Sequence, residues 1–381
     1  MSESLLVTTR KGLFILARAR SAKRAVRGQR PVKKAPARTG LGSGWSFVRS
    51  AFVGDPVSMA LHDPRNGTLY AALNLGHFGC KLHRSRDEGV TWEECAVPAY
   101  PAAKEGAPGD TLALIWTLEA GGTNEPGVLW AGTIPGGLFR SADSGTSWVL
   151  NEALWARPER ADWIGGGYDH AGIHWVCVDA RDARRITVGV SCGGVWVTAD
   201  GGSTWACRAD GMRAAYLPPE QAGLPHVQDP HRVVQSPAKP EVLWAQHHNG
   251  IFRTVDGGGH WQELSAEPST FGFAAAVHPR KPDTAWFVPA VADVCRIPVD
   301  GRMVVSRTED GGRTFETFHK GLPQRHAYHL VYRHGLAVDG TGRRLAMGST
   351  TGELWTSDDG GESWQAVSAH LPPIYAVRFV P

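Results

Sequence analysis

The sequence predicts an all-β fold, a seven-bladed β-propeller closed by pairing its N- and C-terminal strands, with six blades as the less favoured count. Three observations predict it. An eight-residue box recurs six times, each box sits between two short apolar strand patterns, and the two ends of the chain supply the pieces of one further unit. The chain has 381 residues, 46 of them Gly, 25 Pro and 15 Trp, a composition of many turns and large packing rings. That length would ordinarily suggest two or three domains, but repeated blades share one continuous structure. Residues 1–381 are therefore read as a single propeller domain.

The boxes run Ser85–Trp92, Ser141–Trp148, Thr198–Trp205, Thr254–Trp261, Thr308–Phe315 and Ser357–Trp364. Their aspartates, Asp87, Asp143, Asp200, Asp256, Asp310 and Asp359, are separated by 56, 57, 56, 54 and 49 residues. A strand such as Gly137-Leu138-Phe139-Arg140 precedes each box and one such as Trp148-Val149-Leu150 follows it. This is a β-hairpin with the box as its turn. Asp accepts hydrogen bonds from turn N–H groups and Ser or Thr adds another. Gly at the fifth position supplies a positive φ, and the closing Trp or Phe packs between layers. The box aspartates are accordingly structural. Two more strands lie upstream in each unit, as in Arg232-Val233-Val234-Gln235 and Val242-Leu243-Trp244-Ala245. Four antiparallel strands in about 40–50 residues make a propeller blade.

The seventh unit is split. Leu5–Thr8, Gly12–Ile15 and Trp45–Phe47 match second, third and fourth strands, and Ile374–Val380 supplies the missing first strand. Pairing the ends removes both open sheet edges. In this unit the box is replaced by an insertion, residues 17–43, which is basic and reads as a flexible solvated loop. Nine Lys or Arg and no acid fall between Ala17 and Thr39, so a formal charge of +3 for the chain leaves −6 for the rest. That body argues against nucleic acid as a general partner; only the basic loop could meet nucleic acid or acidic lipid headgroups.

None of the six cysteines forms a CxxC pair, and several sit in apolar strands such as Trp175-Val176-Cys177-Val178. The N-terminus lacks a signal-peptide pattern, and no apolar stretch approaches a membrane span. These features predict a soluble, reduced, cytoplasmic protein. The oligomeric state is not legible.

The boxes resemble those of the BNR/Asp-box superfamily of sialidase-like, WD40/YVTN-like β-propellers, and the resemblance covers nearly the whole chain. That superfamily includes sialidases, other glycoside hydrolases, sorting-receptor ectodomains and photosystem assembly factors, so the resemblance implies fold more than function. It implies an active site on the face opposite the boxes, at the mouth of the axial channel. The loops entering each first strand and those joining second to third strands lie there. Catalytic candidates on that face are Asp110, Asp169, His170, Asp229 and Tyr328. Ligand-binding candidates are Arg10, His77, His174, His231, His247, His248, Arg296 and His329. Imidazoles beside carboxylates suit acid–base chemistry or metal binding.

Three functions follow. The first is a glycosidase, which needs two carboxylates across a bond; Asp55 and Asp293 join Asp110, Asp169 and Asp229 as candidates. A sialidase site is incomplete: Cys295-Arg296-Ile297-Pro298 is similar to that family's Arg-Ile-Pro motif but follows the fourth box instead of preceding the first, and no third arginine joins Arg10 and Arg296. The second is a non-catalytic module binding a small molecule, glycan or peptide, with Trp155, Trp163, Tyr168, Tyr216 and Phe271 as stacking rings. The third is an enzyme using a divalent metal, for which His174, His231, His247 and His329 are the expected ligands. No cofactor other than that metal is expected.

Overall fold

The computed structural model describes residues 4–18, 44–102 and 109–380. Most of the basic insertion lies outside the described residues. Among them are seven four-stranded antiparallel sheets, each following chain order from first to fourth strand except the one that joins the termini. In blade 1, Ile374–Val380 pairs with Ser4–Thr9, followed by Gly12–Arg18 and Trp45–Ala51. Blades 2 to 7 begin with the first strands Val57–His62, Leu114–Ala120, Ile173–Val178, Pro230–Gln235, Gly272–Val277 and Leu336–Val338. Each first strand contacts the first strands of the two neighbouring blades, and the last contacts the strand Ile374–Val380 of blade 1. The ring is closed at seven, with the first strands around the axis.

Each of the seven junctions between successive blades has its own apolar cluster. Tyr70, Leu82, Leu129 and Phe139 fill the junction of blades 2 and 3. Met303, Met347, Trp355 and Trp364 fill that of blades 6 and 7. Leu5, Leu16, Leu354 and Val367 join blade 7 to blade 1. Close approach is enforced by glycine where a first strand crosses its neighbour. A Cβ on Gly132 would lie 2.4 Å from the Ile173 carbonyl oxygen of the next blade, and one on Gly348 would lie 2.5 Å from the Ile374 side chain.

The box turns repeat one hydrogen-bond scheme. In the second box of the chain, Ser141 Oγ donates to Asp143 Oδ1 (2.8 Å) and accepts the Gly145 N–H (2.9 Å). Asp143 accepts the Ser147 N–H (2.9 Å) and hydroxyl (2.6 Å). The hydroxyl and amide of Ser147 pull the Asp143 carboxyl down to about 2. In the fourth box His260 offers only its backbone N–H to Asp256, at 3.1 Å. Two consecutive residues are left-handed here, not one. The fifth-position glycines, such as Gly145 at φ 86°, follow a fourth position at 59–78° that Glu88 and Ser144 occupy in two blades and glycine in four. In three blades the closing Trp ties its blade to the one before: Trp148 Nε1 donates to Ala96 O, Trp205 Nε1 to Asn151 Oδ1 and Trp261 Nε1 to Arg208 O, all at 2.8–3.0 Å.

A second turn, between first and second strands, lies on the same face as the boxes. Asp63, Asp179 and Asp339 each accept backbone N–H bonds two residues ahead, from Arg65, Arg181 and Thr341. This repeat escaped sequence analysis because His278 and Ser236 take the place in two blades.

Ser141 is buried and has both an acceptor and a donor in the turn, so Ser141→Ala is expected to cost about 1–2 kcal/mol. A lowered urea midpoint with an unchanged slope is the expected observation; an unaltered midpoint would show that the box hydroxyl is dispensable.

Candidate functional site

The face opposite the boxes is shaped by a repeated irregularity. In six blades the pairing of the first and second strands slips at the same level, leaving an extra residue on the first strand. The residues skipped by the register are Tyr375, Ser58, Trp116, His174, His231 and, in blade 6, the pair Phe273 and Ala274. A bulge bends its strand and re-aims a side chain. Six of them at one height set a ring of side chains around the channel mouth.

Tyr375, Ser58 and Trp116 from this ring line a cavity of about 720 Å³ with Asp55, Asn74, Phe78, Tyr168, Arg296, Tyr332, Arg333 and His334. Asp55 is the only carboxylate among the lining residues. Arg333 is buried, with its guanidinium 4.9 Å from the Trp116 ring centre and 5.4 Å from that of Phe273, and its Nε has no hydrogen-bond partner. Tyr168 stands edge-on to Trp116 at 5.2 Å.

Beside this cavity lies a buried polar cluster. Asp229 immediately precedes the first strand of blade 5, His231 sits in its bulge, and His248 is on the turn between the second and third strands of the blade. Both His231 Nε2 and His248 Nδ1 are 3.5 Å from Asp229 Oδ2. Asp229 Oδ1 accepts the Cys192 N–H (3.1 Å) and the Ser191 hydroxyl (3.3 Å). Burial disfavours charge on Asp229, but His231, His248 and Arg333 outweigh it and hold the carboxyl well below its ordinary value. Burial also holds the His231 ring below its ordinary value, against the pull of the Asp229 carboxylate beside it. Its Nδ1 is 2.6 Å from the Gly272 carbonyl oxygen, which can only accept. The Nε2 of an uncharged ring then presents a lone pair to the carboxylate. Two facing lone pairs call for a positive charge between them, a proton or a metal ion.

Asp229, His231 and His248 each offer a ligand atom within 4.8 Å of the other two, the one such group of three among the described residues. With metal–ligand bonds of about 2.1 Å, a 3.5 Å separation subtends about 110°, a tetrahedral angle. Phe273 stacks on His231 at 4.2 Å, and Tyr216 and Phe271 wall His248 at 4.8 and 5.9 Å. The Gly165–Gly167 segment separates the cluster from the cavity. A Cβ on Gly166, which itself lines the cavity, would lie 2.4 Å from Ser191 Oγ and 3.5 Å from Asp229 Oδ1.

The structure therefore assembles the expected residues differently from the sequence-based grouping. Of the four expected metal ligands, only His231 is in the group. His247 is buried, with the Asp229 N–H directed at its Nε2 and the Asn249 N–H at its Nδ1, and burial takes it down to about 3. His174 is fully buried against Trp116 and neither ring nitrogen has a partner. His329 faces Glu353 (3.4 Å) and Thr351 in blade 7. Arg296 lines the cavity and pairs with Asp293. Asp110, Asp169, His170, Arg10 and His77 are exposed and do not line it. Tyr328 is exposed in a separate groove with Arg302 and His326. Of the expected stacking rings, Trp155 carries the Arg160 guanidinium 3.4 Å from its centre and Trp163 packs on Trp196. Sequence reading missed Arg333, Tyr332, His334, Trp116 and Tyr375. The run Tyr332-Arg333-His334, just ahead of an inner strand, was the available signal.

No protein-family model matches the sequence, and no curated protein does. Among solved structures, the chain is similar to a GH74 xyloglucanase from Xanthomonas campestris, with 20% identity, a TM-score of 0.59, and coverage of 82% of this chain and 47% of that one. It is similar to an ancestral GH74 enzyme at 14% identity and a TM-score of 0.58, over 86% of this chain and 38% of that one. It is also similar to YCF48 from Cyanidioschyzon merolae, at 14% identity and a TM-score of 0.51, over 82% and 85%. The chain spans less than half the length of either GH74 protein. At these identities the likeness shows the fold, a β-propeller.

His174 and His334 are both buried, and burial, reinforced by nearby guanidinium groups, holds both well below the ordinary 6.5. An unfolded chain binds protons at these positions below pH 6.5 and the folded chain does not, so their contribution is intact above 6.5 and is lost as pH falls. Unfolding free energy is expected to drop from about pH 6.5 downward, and His334→Gln to reduce that slope by about 1.4 kcal/mol per pH unit. Parallel curves for the two proteins between pH 6 and 5 would refute neutral burial of His334.

Proposed function

We propose that this propeller is a metal-dependent enzyme acting on a small molecule held on the face opposite the boxes. The observation that carries this is the convergence of Asp229 Oδ2, His231 Nε2 and His248 Nδ1 with no hydrogen available to His231 Nε2 in its uncharged form. Two histidines and one carboxylate suit a divalent transition metal. Three protein ligands leave coordination positions open, as catalytic sites do. A cation bound there supplies Lewis acidity and acidifies a bound water. Ser191 and the Cys192 N–H orient the carboxylate from behind, and the Gly272 carbonyl fixes the His231 tautomer.

The adjoining cavity has the volume of a small-molecule site. Its aromatic walls and the buried Arg333 favour a ligand with a flat or apolar body and an anionic group. Gly166, lacking a side chain, lets the backbone pack directly on Ser191 and Asp229, so that only this segment stands between such a ligand and the cluster. The resemblance of the boxes to the BNR/Asp-box superfamily supports this placement on the face opposite the turns. Glycoside hydrolysis is less well supported, because a cavity with Asp55 as its one lining carboxylate lacks the flanking pair.

Chelator-stripped protein titrated calorimetrically with Zn²⁺ and Mn²⁺ is expected to bind one equivalent of at least one of them. Asp229→Asn and His248→Ala are expected to weaken binding by about tenfold or more. Absence of saturable binding by the parent, or equal binding by both variants, would dispose of the metal reading.

A further inference from the structure

The channel has a second chamber at its other end. On the box-turn side a cavity of about 820 Å³ is lined by residues of the first strands, most of them apolar, including Val176, Val234, Ala275, Leu336 and Val377. His334 lines both chambers and marks the waist between them. Its Nε2 is committed to the His174 carbonyl at 2.8 Å.

Arg232 lines this second chamber and is 92% buried. Its guanidinium lies 3.4 Å from the centre of the Trp175 ring, which covers one face. Guanidinium N–H bonds point in the plane, toward acceptors at the edge, not at the covering ring. Nε and Nη1 have no such acceptor. The carboxylate that partly offsets the charge, Glu119, is held by Arg378, with Nη1 to Oε2 at 3.2 Å and Nη2 to Oε1 at 2.5 Å. At the rim, Asp179 accepts from Arg181, and Asp339 from Thr341. Burial and the Arg378 charge pull Arg232 down to about 9, a measure of how poorly its charge is served. An unpaired buried cation costs far more than a paired one.

The geometry points to a binding site for an apolar monocarboxylate, with its carboxylate on the in-plane edge of Arg232 and its hydrocarbon tail along the apolar first-strand walls of the chamber. One negative charge balances the one cation that Glu119 does not, and a planar fork matches a carboxylate. The apolar walls favour a tail over a bare inorganic anion. This site is separate from the Asp229 cluster and does not depend on the metal.

Octanoate, octan-1-ol and inorganic phosphate are the probes. In calorimetry with the full chain, octanoate is expected to bind saturably, and more tightly than octan-1-ol and phosphate by about tenfold or more. Arg232→Met and Arg232→Gln are expected to abolish the advantage of octanoate over the alcohol. A crystal of the unmutated protein soaked with 8-bromooctanoate should show bromine in the box-side chamber with the carboxylate at Arg232, a readout that does not require a variant to fold. Equal binding of acid and alcohol, phosphate binding as well as octanoate, or bromine located beside Arg333 would each overturn the proposal.

Discussion

Everything in this molecule depends on closure of the ring. A blade has two faces, and each must be covered by a neighbour; an open row of seven would leave two faces and two strand edges bare. The pairing of Ile374–Val380 with Ser4–Thr9, from Ser4 opposite Val380 to Val7 opposite Val377, removes both edges in one step. It also brings Tyr375 to the channel mouth and Arg378 to Glu119, two residues more than 250 positions apart in sequence. The axial site exists only because the last strand of the chain completes the first blade.

The fold was legible because its signal is local and repeated. Each box needs only eight consecutive residues to specify its turn, and the spacing then counts the blades. The split unit was legible for the same reason, since the missing strand had to lie at the other terminus. What the residues could not disclose was the second left-handed position in the turn, because Glu88 and Ser144 adopt a conformation that side chains generally avoid.

The site was legible only in part, and the reason is pairing. Asp229, His231 and His248 were recognisable as chemically active residues near strand ends, yet their convergence depends on a one-residue slip between Pro230 and Arg232 that pairing alone decides. The same slip in blade 4 occurs at His174, which is buried against Trp116 and is not one of the three converging groups. His247 and His248 are adjacent in sequence and have opposite fates: one ring faces two backbone amides, the other reaches the carboxylate. Arg333 was missed because it lies in an irregular segment, where neither a strand period nor a box marks the register.

The level of the six slips has a consequence for how such a ring could diversify. Each slipped residue is tethered by its own blade, but its side chain also answers to the next station: His174 packs on Trp116 and His231 on Phe273. Tyr, Ser, Trp, His, His and Phe already occupy equivalent stations. The channel mouth thus behaves like a dial whose neighbouring positions are geared together, so that its chemistry is rewritten by pairs of spokes while the wheel keeps its shape.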